Sequence, residues 1–191
     1  MSIIVKDTGG GDFQLPEAGV HNAVCTAVFD LGDQPGFQGQ IQHKIAIIWE
    51  LEEVITDPGD YQGKRFTVSN MYTASLSERA NLRAHLESWR GRGFTEAELE
   101  GFDIAVLRGV PATLSIIHNR NEKTNRTYAN ISAVMRYDKK LGEALIPELP
   151  EDWMPKWIAQ KMDAPPIATN EDGGGSTSSK FEDDIPFAPL F

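Results

Sequence analysis

One cysteine stands in the whole chain, Cys25. That excludes an internal disulfide and any zinc site built from several cysteines. No apolar run is long enough to cross a membrane, and Met1 is not followed by the charged and apolar segments of a secretory leader. The glycines at 9–11 have no Gly-Lys-Ser or Gly-Lys-Thr behind them, so a phosphate loop is not expected. There is no Gly-x-Ser-x-Gly, and His21, His43, His85 and His118 are scattered without ligand spacing. Cys25 falls mid-strand, where a buried, unreactive side chain is the expectation. The acids at 50, 52 and 53 read as a solvated strand end rather than as metal ligands. The sequence therefore points away from an enzyme, with no cofactor or metal expected.

What is present is an uneven charge. The chain of 191 residues has Lys+Arg 18 against Asp+Glu 28, for a net charge of -10. Residues 1–59 carry two basic and nine acidic side chains, whereas residues 60–140 carry thirteen basic and nine acidic. Residues 141–160 contribute -3 and residues 161–191 contribute -4. A basic middle between acidic flanks is a signal for an anionic partner, although the total charge alone argues against nucleic acid. The length suits one domain with a tail.

The hydrophobic periods give an element order. Residues 1–18 read as an irregular N-terminal arm. VHNAVCTAVFDL (20–31) is a first strand, and GDQPGFQGQ (32–40) a loop. IQHKIAIIWELEEV (41–54) is a second strand with Ile41, His43, Ile45, Ile47, Trp49 and Leu51 on one face. KRFTVSNMYT (64–73) is a third, with Phe66, Val68, Asn70 and Tyr72 sharing a face. The period then changes to helical: Ser75 and Glu78 have capping-box spacing, Leu82, Leu86 and Trp89 form a stripe, and Gly91 ends it. Thr95 and Glu98 start a second, short helix. IAVLRGVPATLSIIHN (104–119) returns to strand in two pieces around Gly109 and Pro111. NRNEKTNR (119–126) is a hairpin loop and TYANISAVMRY (127–137) the last strand. A β-β-β-α-β-β order without repeats or heptads predicts a mainly β domain over 19–140, of the five-stranded Greek-key OB-fold barrel type. Residues 141–162 form a C-terminal extension of loose, Pro-containing helix or coil. Residues 163–191, rich in Pro, Gly, Ser and Thr, read as a flexible, disordered tether ending in an acidic tip.

In an OB-fold, strands 2 and 3 and the loops after strands 1 and 4 bind oligonucleotides. Single strands need cations along the phosphates and aromatic faces for the bases. The cations expected there are Lys44, Lys64, Arg65, Arg120, Lys123, Arg126 and Arg136; the aromatics are Phe37, Trp49, Tyr72 and Tyr128. Trp49 is in phase with the core-facing isoleucines, so a core position is the stronger reading for it, and Phe66 is assigned to the core outright. Tyr128 is out of phase with Ile131, Ala133 and Met135, which favours exposure. Arg79, Arg83, Arg90 and Arg92 read as a solvated helix face.

The tail carries a resemblance. FEDDIPF, residues 181–187, resembles the acidic C-terminal tip of bacterial single-stranded DNA-binding proteins, in which a closing Ile-Pro-Phe recruits replication, recombination and repair proteins. The resemblance implies that Phe181, Glu182, Asp183, Asp184, Ile185, Pro186 and Phe187 form a partner-binding tip. Here APLF follows Phe187, and the sequence leaves open whether Phe187 or Phe191 is the anchor. The body is similar, over residues 6–137, to small phage and prophage proteins labelled as replication initiation proteins. The matching motifs are KDTGGGDF, AG-x-H-x-A-x-C, F-x-x-x-x-MYTASL and L-x-SWRGR-x-FT. Together these imply a phage protein in the cytoplasm of a bacterial host that binds single-stranded DNA in replication, recombination or repair. Its partners would be single-stranded DNA and host or phage replication proteins, with no membrane involved; the sequence leaves a homo-oligomer open. Two other functions are compatible with it: an interaction protein whose tail competes for host partners, and a duplex-binding replication initiator.

Overall fold

The structure, a computed structural model, describes residues 14–36, 39–122 and 124–163. It is mainly β, with one five-stranded antiparallel sheet in the order β3-β2-β1-β4-β5. The strands are β1 (Gly19–Pro35), β2 (Ile41–Val54), β3 (Arg65–Thr73), β4 (Pro111–Asn121) and β5 (Arg126–Arg136). Three helices accompany them among the described residues: α1 (Asn81–Arg90), α2 (Glu96–Glu100) and α3 (Lys156–Met162).

The alternation in β2 does what its period requires. Ile45, Ile47, Trp49 and Leu51 point into a core shared with Phe66 and Val68 of β3, Ala112, Leu114 and Ile116 of β4, and Val134 of β5. Ile41 and His43, from the same alternating set, lie beyond that core and are exposed. Helix α1 brings Leu82, Leu86 and Trp89 into the core and touches both β3 and β5, the two edge strands of the ladder order. Trp49 and Trp89 meet there at 5.7 Å between ring centroids, and the Trp89 indole N–H donates to the Pro111 carbonyl at 2.8 Å.

Several expected boundaries move. β1 continues to Pro35, through register shifts near Thr26 and Leu31, four residues past the expected end of the strand. β4 runs on to Asn121 and β5 starts at Arg126, directly after Asn125, which adopts a left-handed φ of 56°. Residues 104–107 form a 3-10 turn, not strand, with the Asp103 carboxylate accepting from Ala105 N–H. The Ser75–Glu78 spacing does not start α1: the helix begins six residues after Ser75, behind Ala80, which offers no side-chain cap. Ser75 instead accepts from Ser77 N–H in a local turn. At α2 the same motif is built as predicted, with Thr95 and Glu98 capping reciprocally.

The largest departure is the segment after β5. The sequence suggested a loose extension; the structure lays it across the sheet's other face as a strap. Asn22 donates to the Glu143 carbonyl at 2.7 Å. Farther on, Ile158 of α3 is fully buried on Ala27, Leu31, Ala46 and Ile48, with Phe29, Met71, Trp153 and Trp157 around it. The sheet thus buries both faces over part of its area, which explains why β2 reads as a nearly continuous apolar run from Ile45 to Trp49. The N-terminal segment is held too: Gln14 bonds Thr56 and Asp57, and His118 Nε2 lies 2.8 Å from the Pro16 carbonyl.

Candidate nucleic-acid interface

The strap is clamped by one carboxylate. Glu50, which the sequence placed in a solvated strand end, is 1% exposed. It accepts from Thr26 Oγ1 at 2.8 Å and from the backbone N–H groups of Glu148 and Leu149 at 2.9 and 2.8 Å. Arg65 completes the clamp, 3.5 Å from Glu50, 2.9 Å from the Glu148 carboxylate and donating to the Ile146 carbonyl at 2.8 Å. A buried carboxylate is tolerable only when paired and fully hydrogen-bonded, and this one is.

That clamp corrects the sequence reading twice. Arg65 is committed to the strap and is not a free cation for phosphate. The outer face of β2 and β3 is covered over Ala46, Ile48 and Met71 by α3. Trp49 faces the other side, fully buried between its β1 and β3 neighbours Cys25 and Val68, so it cannot be a stacking platform. Tyr72 is also buried, and its ring meets His85 edge-on, leaving no open face for a base.

Of the four arginines expected on a solvated helix face, Arg79 and Arg92 are exposed, whereas Arg83 and Arg90 are half-buried. Arg83 pairs with Glu87 at 2.9 Å; Arg90 and Arg92 both pair with Glu98. Arg90 lies over the rings of Phe94 and Phe102, tying α2 to the end of α1. The Arg92 hydrogen bond above all holds the Glu98 carboxyl well below the usual carboxylate range. Arg83, Arg90 and Arg92 are neutralised where they stand.

The remaining predicted residues fall in three places. Arg120, Arg126 and Tyr128 share the β4–β5 hairpin, in a register that sets Asn121 opposite Arg126 and Asn119 opposite Tyr128. Arg120 bonds the side chain of Asn125, and the Tyr128 hydroxyl lies 3.4 Å from Thr124 Oγ1. Neither arginine has a carboxylate partner among the described residues. Tyr128 is half-buried. Lys64, exposed at the β2–β3 turn, sits 5.1 Å over the Tyr61 ring. Arg136 is at the opposite end of β5, packed against Gly91. Phe37 and Lys123 lie outside the described residues, as do Phe181, Glu182, Asp183, Asp184, Ile185, Pro186, Phe187 and Phe191 of the tail.

Lys44 enters a cleft that the sequence did not reveal. Between β3, the start of α1 and β5 there is a polar cleft of about 520 Å³. Its walls include Lys44, Asn70, Tyr72, Thr73, Arg79, Asn81, His85 and Ser132, and no Asp or Glu. Lys44 Nζ donates to Gln42 Oε1 at 2.8 Å and Thr73 Oγ1 at 3.0 Å. The Tyr72 hydroxyl meets His85 Nδ1 at 2.9 Å. Burial raises the Tyr72 phenol and lowers the His85 imidazole. At neutral pH the phenol therefore keeps its proton and the imidazole is uncharged. The signal that pointed elsewhere was the apparent capping box, which put Arg79 on a helix; it stands ahead of α1, at the cleft.

Cys25 behaves as expected: it is buried, and burial pushes its thiol up to about 12. In the folded protein a thiol-specific reagent should label it only at the rate of unfolding, whereas in denaturant labelling should be immediate. Rapid labelling of native protein would show that the β1 core opens.

No protein-family model matches this chain, and neither does any curated protein sequence.

Proposed function

We propose that the protein is a non-enzymatic, sequence-tolerant binder of single-stranded DNA built on an OB-fold barrel. The β3-β2-β1-β4-β5 order, with a helix between β3 and β4 that bridges the edge strands, supports that fold. The observation that carries the function is a cation without a carboxylate partner beside an aromatic ring on one hairpin. The Arg83, Arg90, Arg92 and Arg65 side chains are all held by carboxylates, whereas Arg126 projects from the β4–β5 hairpin without one, two residues from Tyr128 on the same strand face, with Arg120 on the opposite face of the hairpin. In a chain of net charge -10, such a hairpin offers what a single strand requires, a cation for phosphate beside an aromatic ring. The role of the acidic FEDDIPF tip in recruiting replication proteins of a phage or its bacterial host completes the proposal, on the resemblance given above.

The test is a salt series of titrations with oligo(dT), with duplex DNA of equal length as control. Full-length protein should bind the single strand more tightly than the duplex, and more weakly as salt rises. Arg126→Ala should reduce the slope of log K against log salt by about 0.7, one single-strand phosphate contact. Tyr128→Ala should cost ~1–3 kcal/mol if one base stacks there. Absence of binding at low salt would sink the proposal and favour a protein that acts through its tail alone.

A further inference from the structure

Resting on that reading, we propose that the acid-free cleft between β3, α1 and β5 is a second contact site for the same single strand. It would hold a backbone phosphate between Lys44 and Arg79. The path of the DNA would then cross the β3–β5 side of the molecule rather than the strap-covered face of β2 and β3.

Three observations converge on this assignment. The first is charge. A cleft lined by Lys44 and Arg79 with no carboxylate is selective in a chain that has Asp+Glu 28. Neither cation has an ion-pair partner among the described residues. The second is donor geometry. An ammonium has three N–H donors, and Lys44 uses two of them on the neutral acceptors Gln42 and Thr73. Those contacts fix the side chain without cancelling its charge and leave one donor over. Arg79 is exposed at the rim, with its guanidinium uncommitted to any carboxylate. The third is the floor. The Tyr72 hydroxyl meets His85 Nδ1, and Asn70 lines the cleft with them. In the tautomer in which the phenol donates to Nδ1, the neutral imidazole carries its proton on Nε2, a further donor on a residue of the cleft wall. Donors and cations without competing acids describe a site for a phosphodiester, whose non-bridging oxygens only accept. The volume lies within the ~300–1,000 Å³ of small-ligand sites.

The experiment uses full-length protein and fluorescence anisotropy with labelled oligo(dT) across a salt series. Arg79→Glu is the main variant, because Arg79 is exposed and its replacement leaves the core intact. Lys139→Glu, an exposed cation of the strap's first turn, controls for the change in net charge. A local readout accompanies it, the ring-proton NMR signals of the four histidines. The expected result is a loss of about tenfold or more in affinity for Arg79→Glu at low salt, with a slope lowered by about 0.7. Lys139→Glu should change little, and oligo(dT) should move the His85 signal in wild type. If wild type binds oligo(dT) but Arg79→Glu and Lys139→Glu behave alike, or His85 is unmoved, the cleft is not on the path and the hairpin reading survives alone. If wild type does not bind, both proposals fall together.

Discussion

Glu50→Ala should destabilise the protein by about 3 kcal/mol, the scale for removing one partner of a buried charged pair. The carboxylate is the common acceptor of Thr26, Glu148, Leu149 and Arg65. Without it, the strap either stays and leaves two backbone N–H groups and a hydroxyl unpaired, at about 1–3 kcal/mol each, or lifts so that water satisfies them. Lifting sets the ceiling on the loss, because it costs no more than the docking of residues 143–162. Urea midpoints would measure the stability, and limited proteolysis between 143 and 155 would show which route is taken. Glu50→Gln, which keeps an acceptor oxygen in place, should lose less. An alanine variant within 1 kcal/mol of wild type, with its strap still protected, would mean the carboxylate is not the clamp.

Trp49→Ala should cost about 3–5 kcal/mol, as expected for deleting a fully buried indole that the neighbours cannot replace. Its ring is enclosed by β1, β3 and Trp89, so the loss combines transfer and cavity contributions. Trp49→Phe should be milder, because it also removes a buried indole N–H that has no hydrogen-bond partner. The second variant separates core from platform. A folded Trp49→Phe protein should bind oligo(dT) like wild type, whereas a stacking residue would show weakened affinity. Equal losses in stability and in binding by both variants would reopen the role of Trp49 in recognition.

The inner face of the sheet was legible in the sequence because it is written locally. Ile45, Ile47, Trp49 and Leu51 alternate, and so do Phe66, Val68 and Tyr72; period two requires nothing from elsewhere in the chain. The outer face was not, because its partners are remote. Whether Ala46, Ile48 and Glu50 meet water or protein is decided by Leu149 and Ile158, about a hundred positions later. Arg65 illustrates the same limit: a strand-end arginine suggests phosphate until its acceptor proves to be the Ile146 carbonyl. At residues 75–81 the failure was of another kind. A helix-start spacing is satisfied there by a turn, and the apolar stripe from Leu82 onward was the better guide to where α1 begins. That Arg120, Arg126 and Tyr128 lie on one hairpin was legible because loop composition and strand phase are both local.

The position of β1 in the ladder order has a kinetic consequence. Three of the four ladders join strands that follow one another in the chain, β1 with β2, β2 with β3, and β4 with β5. Only β1 with β4 links distant segments, Gly19 meeting Ile116 and Val24 meeting Pro111, and the backbone bonds of Cys25 with Gly109 and Val110 extend that seam. A three-stranded meander and a hairpin can thus form early and separately, while their joining must close the long connection through α1 and α2. The entropy of that closure should set the folding rate, placing it among slow, non-local β topologies, on the order of milliseconds to seconds. Alterations along the seam, around Ala23 and Ala112, would therefore be felt in the speed of folding, and those in the strap chiefly in the speed of unfolding.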